Sequence, residues 1–268
     1  MPGKLVVIGG AEDRQRHCTI LKTLLELSGE DNPEVAVISA ASAKPQQSGK
    51  DYEKVFAELG SGSVRVLTLI SRENAQQESA AAVIDESPVV FITGGDQLRL
   101  TSALGGTNLL RRLQSRFQTS NLILAGTSAG ASALSTTMIV GGNSRTPPQR
   151  GVINLSPGLG FLSLALIDQH FSQRGRFGRL MAAVACNPSL LGLGIDEDTA
   201  VIISHSRWMT VIGTFGVTVI DGTGLQYAPV SETAPQETLT LSPFCLHILS
   251  RGSKFDLLQR RLIPPGEP

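Results

Sequence analysis

Leu122-Ile123-Leu124-Ala125-Gly126-Thr127-Ser128-Ala129-Gly130-Ala131 is the stretch whose reading decides the fold. Its four leading apolar residues predict a short buried strand, and Gly-x-Ser-x-Gly then turns the backbone into a small-residue run that starts a helix. A serine at such a turn sits on a sharp, strained elbow with its hydroxyl raised above a sheet. Each flanking glycine answers a steric demand, because a Cβ there would run into the neighbouring strand or helix. The following helix is expected to aim its first amide groups at the serine, where they can meet a developing oxyanion. A Gly/Ser/Ala-rich turn without catalytic meaning has the same look, so the motif alone makes Ser128 a candidate nucleophile of a hydrolase.

Outward from the elbow, strands and helices alternate. Lys4 to Ile8, Glu34 to Ala40, Val64 to Leu69 and Val89 to Thr93 read as strands. Their hydrophobicity is continuous rather than alternating, as in parallel strands covered on both faces. Between them, Arg14 to Leu27 carries Cys18, Leu21, Leu24, Leu25 and Leu27 on one helical face, with Gly29 as its stop. Ser48 to Leu59, Asp96 to Leu104 and Asn108 to Phe117 are also predicted helices, the first capped by Gly60. This rhythm predicts an α/β fold: one doubly wound, mostly parallel sheet with helices on both faces, in a single domain spanning 1–268. Ligands of such sheets sit beyond the carboxyl ends of the strands, where Glu12, Asp13, Asp96, Gln97 and Ser128 all fall.

Composition narrows the function. Of 268 residues, 41% are hydrophobic and 17% charged, as in an ordinary soluble globular protein. Lys and Arg total 23 and Asp and Glu total 23, so no overall field favours nucleic acid or a membrane surface. Cys18, Cys186 and Cys245 are odd in number and widely spaced, which fits a reducing compartment and no metal site. Gly9-Gly10-Ala11 lacks the spacing of a dinucleotide fingerprint. The opening Met-Pro-Gly-Lys leads directly into a strand and no apolar run reaches membrane-spanning length, so a cytoplasmic protein is expected.

The second half is less regular. Thr137 to Val140 reads as a short strand, followed by an irregular segment from Gly141 to Arg150. Phe161 to Ile167 runs into Asp168-Gln169-His170-Phe171, and Leu191 to Ile195 into Asp196-Glu197-Asp198. Thr199 to Ser204 is a predicted strand, Trp208 to Gly213 and Val217 to Ile220 a predicted strand pair, and Cys245 to Leu249 a late edge strand. Residues after about Gly222 form a peripheral part, and the tail from Pro264 is expected to fray.

A serine nucleophile needs a base and a group that orients that base. Of four histidines, His17 falls in a predicted helix and His205 and His247 near or within apolar strands, where a structural role is the simpler reading. His170 ends an apolar run beside polar residues and is the best base. Glu197 is a plausible orienting acid, with Asp168 and Asp196 as competitors. Arg174, Arg176 and Arg179 could be a solvated basic face; clustered beside the base, they fit bidentate recognition of substrate carboxylates.

Taken together, the motifs resemble the cyanophycinases. The likeness is carried by Gly9-Gly10-Ala11-Glu12-Asp13, Gly94-Gly95-Asp96-Gln97, the Ser128 elbow, Pro157-Gly158-Leu159-Gly160-Phe161, Ile167-Asp168-Gln169-His170-Phe171, Gln173 to Leu180 and Gly194 to Ala200. It implies a flavodoxin-like, class I glutamine amidotransferase-like fold and a homodimeric serine exopeptidase of the aspartyl dipeptidase group that needs no metal or cofactor. The implied substrate is cyanophycin, a polyaspartate with arginine on each side-chain carboxyl, and the implied product is β-aspartyl-arginine. The implied triad falls on Ser128, His170 and Glu197. Gly95 and Ala129 are the candidate oxyanion donors, and Gln97, Asp168, Gln169, Arg174, Arg176 and Arg179 carry over as substrate-binding residues. Arg145, in a loop less acidic than an arginine-rich polymer would favour, departs from that pattern. The rival expectations are a peptidase of short aspartyl or isoaspartyl peptides and a catalytically silent binder of acidic ligands.

Overall fold

A computed structural model describes residues 2–264 and Gly266. The elements in order are β1 (Lys4–Ile8), α1 (Thr19–Ser28), β2 (Val35–Ile38), α2 (Pro45–Glu58), β3 (Val64–Leu67), α3 (Glu78–Glu86), β4 (Val89–Ile92), α4 (Gln97–Leu104), α5 (Asn108–Thr119), β5 (Ile123–Thr127) and α6 (Ala129–Ala133). They continue as β6 (Thr137–Gly142), β7 (Ile153–Pro157), β8 (Ala165–Gln169), α7 (Phe177–Cys186), β9 (Leu191–Ile195), β10 (Thr199–Ser204), β11 (Trp208–Gly213), β12 (Val217–Asp221), β13 (Cys245–Leu249), β14 (Lys254–Asp256) and β15 (Arg261–Ile263).

Among the described residues the strands form three sheets. The large one has the order β15-β14-β11-β10-β1-β5-β4-β2-β3, a second is β13-β12-β9-β8, and β6 pairs with β7. From β1 to β3 every neighbour in the large sheet is parallel; from β1 outward through β10, β11, β14 and β15 every neighbour is antiparallel. Val6 and Ile8 face one core with α1 and α2, whereas Leu5 and Val7 face another with α4 and α5. Both faces of the parallel strands are therefore buried, which is why their sequences are apolar without a break. Ile167, Leu193 and Val219 of the second sheet join the core on the Leu5 face.

Trp208–Gly213 and Val217–Asp221 do not pair with each other, contrary to the sequence expectation. β11 pairs with β10 in the large sheet, and β12 pairs with β9 in the second. The reason is one long hairpin, β9–β10 running out and β11–β12 running back, that changes sheets half-way. The crossing is pinned where Asp198 accepts from Asp13 N (2.8 Å) and Thr214 Oγ1 (2.6 Å), and Asp196 accepts from Ser172 N (2.9 Å). Helix α1 starts at Thr19, not Arg14. The Asp13 carboxylate accepts the amides of Gln15, Arg16, His17 and Cys18, folding that stretch as a turn and holding its own pKa far below the usual carboxylate range. His17 lies in this turn, outside the helix. The part after Gly222 supplies edge strands: β13 to the second sheet, β14 and β15 to the large one. The tail expected to fray lies outside the described residues apart from Pro264 and Gly266.

Candidate active site

Four chain segments converge at the carboxyl edge of the parallel strands. β1 ends at Ile8, in register with Thr127 at the end of β5, so Gly9-Gly10 and Ser128 leave the sheet side by side. β10 runs antiparallel to β1 and pairs Ala200 with Ile8, which brings the turn before it, carrying Glu197, to the same edge. β8 pairs Gln169 with Ile195, and the amide of the next residue, His170, donates to Gly9 O at 2.8 Å. The second sheet thus hands the imidazole to the first.

Ser128 adopts φ 53° and ψ −113°, the strained geometry expected of the elbow. Its two glycines are sterically required as predicted: a Cβ on Gly126 would lie 2.6 Å from the Gly130 backbone, and one on Gly130 2.5 Å from Ile92 O. The helix beyond is only five residues long, so a macrodipole contributes less than expected and the single Ala129 amide matters more.

Ser128 Oγ lies 3.0 Å from His170 Nε2, and His170 Nδ1 lies 2.7 Å from Glu197 Oε1. With the proton on Nδ1 donated to Glu197, Nε2 is an acceptor facing the hydroxyl. Of the three candidate acids, Glu197 is the one that touches the imidazole. Asp196 instead binds the Ser172 amide, and Asp168 is engaged by arginines. Burial lowers the His170 pKa, opposed by its bond to Glu197 and reinforced by the Arg174 and Arg176 charges, so the ring is held neutral at pH 7. Ser128 N donates to Ile8 O (3.0 Å), while the amides of Gly95 and Ala129 make no main-chain hydrogen bond among the described residues. Gly94 packs directly against the serine; a Cβ there would lie 3.3 Å from Ser128 Cβ.

Residues 5–211 match the family described as Peptidase family S51. The chain belongs to that family. This S51 protein is a serine peptidase. It is 38% identical over 260 residues to a cyanophycinase of Trichormus variabilis, covering 97% of this chain and 87% of that protein. It is 35% identical over 252 residues to a cyanophycinase of Geminocystis herdmanii, covering 94% and 93%. Among solved structures it is similar to a peptidase from an acI-B1 Actinobacterium, with TM-score 0.65 and 22% identity over 92% of this chain and 98% of that one. It also resembles a putative peptidase E protein of Listeria monocytogenes, with TM-score 0.55 and 14% identity over 80% of this chain and all of that one. The fold of the S51 peptidase is thus the mixed α/β arrangement expected from its sequence.

The arginines are placed differently from the sequence expectation. Arg174 is exposed, but Arg176 and Arg179 are buried and turn onto Asp168. Arg179 grips that carboxylate with two nitrogens, Nε at 2.7 Å, and Arg176 Nη1 binds Asp168 Oδ1 (3.2 Å) and Gln169 Oε1 (2.8 Å). Four residues expected to face substrate, Asp168, Gln169, Arg176 and Arg179, are therefore committed to one another, because a buried guanidinium requires a paired charge. Burial lowers the Arg176 pKa to about 10, and its buried Nε has no partner among the described residues. Gln97 also has a partner, donating to Ile139 O at 3.0 Å. The Arg145 loop packs on this segment, with Arg145 N donating to Gly175 O at 2.8 Å.

Sequence reading missed the supporting role of three groups, among them Glu12, which it placed at the ligand edge and which is buried. Gln173 Oε1 accepts the Glu197 amide at 3.1 Å. The buried Glu12 carboxylate accepts from Tyr52 OH and from Thr127 Oγ1 (2.6 Å), bracing the residue before Ser128. Gly10, at φ 97°, lies beneath the imidazole, where a Cβ would come 2.4 Å from His170 Cε1. Gly10→Ala is therefore expected to displace the ring and lower kcat by about 100-fold in a protein that still folds. Circular dichroism and turnover on one sample check this, and near-native turnover would show that the ring has room.

Proposed function

We propose that the chain hydrolyses cyanophycin to β-aspartyl-arginine through an acyl-enzyme on Ser128. The hydrogen-bonded series Ser128–His170–Glu197 carries this reading, supported by cyanophycinase relatives that match nearly the whole chain. Ser128 Oγ attacks the scissile carbonyl carbon as its proton passes to His170 Nε2, and the Gly95 and Ala129 amides receive the oxyanion. Collapse breaks the C–N bond, and His170 returns the proton to the leaving amine. Water then attacks the ester carbonyl as His170 takes its proton; collapse breaks the bond to Ser128 Oγ, His170 returns the proton to that oxygen, and the free carboxylate leaves. Glu197 fixes the tautomer and balances the imidazolium. Arg174 and Gln97 meet the substrate, while the buried group of Asp168, Gln169, Arg176 and Arg179 braces the segment that carries His170. The reading includes a cytoplasmic homodimer, checked in solution by light scattering at twice the monomer mass.

Digestion of purified polymer with identification of products tests the proposal. β-Aspartyl-arginine release is expected; hydrolysis of short aspartyl or isoaspartyl dipeptides with an untouched polymer would assign the narrower peptidase. The pH profile gives a second check. Only the neutral imidazole is a base, and its pKa is lowered, so kcat/KM should fall on acidification with a midpoint below the ordinary histidine value of about 6.5. A midpoint above that value would contradict a desolvated His170.

A further inference from the structure

A second cleft, of about 450 Å³, opens beyond the ends of β2 and β3 on the same carboxyl edge that carries Ser128. Arg72 and Arg99 line it, each anchored by a main-chain carbonyl: Arg99 Nη1 donates to Ser42 O at 3.0 Å and Arg72 Nη1 to Ser102 O at 2.6 Å. Each anchor restrains a guanidinium whose remaining N–H groups can still form a fork. Neither arginine has a carboxylate partner among the described residues. Two unneutralised cations in one cleft call for an anion. Ile70, 70% exposed, adds an apolar wall beside them.

The cleft and the Ser128 site share one turn. Ala41 O accepts the Asp96 amide at 2.8 Å, and a Cβ on Gly95 would lie 2.0 Å from the same oxygen, so the turn that walls the cleft also backs Gly95. β2 and β3 are two and three strands from β5. At about 4.8 Å per strand the cleft lies roughly 10–14 Å from the serine strand, which three or four extended residues span. In a polyaspartate whose side-chain carboxyls are amide-linked to arginine, each side chain keeps a free α-carboxylate and a guanidinium. Paired arginines attract the first and repel the second, and the side-chain methylenes can lie on Ile70.

We propose that Arg72 and Arg99 form a distal subsite that binds a side-chain α-carboxylate of the polymer three or four units from the scissile bond. This rests on the polymer reading above. The test compares wild type with Arg72→Gln/Arg99→Gln on the polymer and on a two-unit fragment too short to reach the cleft. KM for the polymer is expected to rise about tenfold, the scale of losing two solvent-facing ion pairs together. Its kcat, and both constants on the fragment, should stay within about twofold. Arg72→Lys/Arg99→Lys should recover only part of the loss, because lysine keeps the charge without the fork. An unchanged polymer KM in an active enzyme overturns the subsite alone, as does an equal rise on both substrates. Wild-type enzyme that leaves the polymer intact overturns the polymer reading and the subsite with it.

Discussion

Ser128→Ala is expected to lower polymer hydrolysis by on the order of 10⁵- to 10⁶-fold, the effect of removing the nucleophile from a unit whose members act together. The hydroxyl is half-buried at the sheet edge and its one side-chain hydrogen bond among the described residues is with His170 Nε2, so the melting temperature should move by no more than about 2 °C. The strained backbone at residue 128 is set by its surroundings: its amide is bound to Ile8 O and the glycines on either side leave no slack. Alanine therefore enters the same elbow. A fluorophosphonate should label wild type on Ser128 and leave the variant unlabelled. Turnover near wild type, or labelling elsewhere, would remove Ser128 from the mechanism and revive the silent-binder expectation.

The elbow was legible in the sequence because its demands are local. A buried strand must be apolar, Gly126 and Gly130 must lack a Cβ, and the serine must fall between them. The parallel strands were legible for a similar reason: Leu5 and Val7 enter one core while Val6 and Ile8 enter the other, so every position is apolar. Helix α3 escaped notice because its buried side is Ala80, Ala81 and Ile84, too slight a stripe to stand out from its small neighbours. The second sheet was hidden by non-local pairing. Gly213 to Val217 reads as the tip of a hairpin, whereas it is the point at which a longer hairpin passes between sheets, set by contacts to Asp196 and Asp198.

The candidate site divides along the same line. Ser128 and His170 stood out as residues closing apolar runs, but spacing could not choose among Asp168, Asp196 and Glu197, because all lie at strand ends. What separates them is the company each keeps in three dimensions. The inward turn of Arg176 and Arg179 was likewise invisible, since an arginine-rich segment looks the same whether its charges meet water or a buried carboxylate. Removing one member of such a buried pair typically costs on the order of 3–5 kcal/mol. Loss of activity in an Arg179 variant would therefore report stability as much as recognition.

Glu197→Gln separates orientation from mere packing. Glutamine fills the same space, and the turn is still held by Gln173 on the Glu197 amide and by the bonds to Asp198. Its uncharged amide, however, cannot balance the imidazolium that forms as Ser128 gives up its proton. If its NH₂ group faces the ring, it drives the proton to Nε2, the nitrogen that must accept from serine. A loss of about 10⁴-fold in kcat is expected, as when an orienting carboxylate is replaced isosterically in a serine triad. The pH profile should shift as well. The bond to Glu197 is the main influence raising the His170 pKa against burial and the Arg174 and Arg176 charges. Without it the acid limb should move to still lower pH, even as the plateau collapses. A variant that only loosened the turn would lose rate without moving that limb. Retention of kcat within tenfold, with an unmoved limb, would exclude the carboxylate as the imidazole's partner in the reaction. Asp196 and Asp168 could not substitute for it, since one is occupied by the Ser172 amide and the other by two buried guanidinium groups.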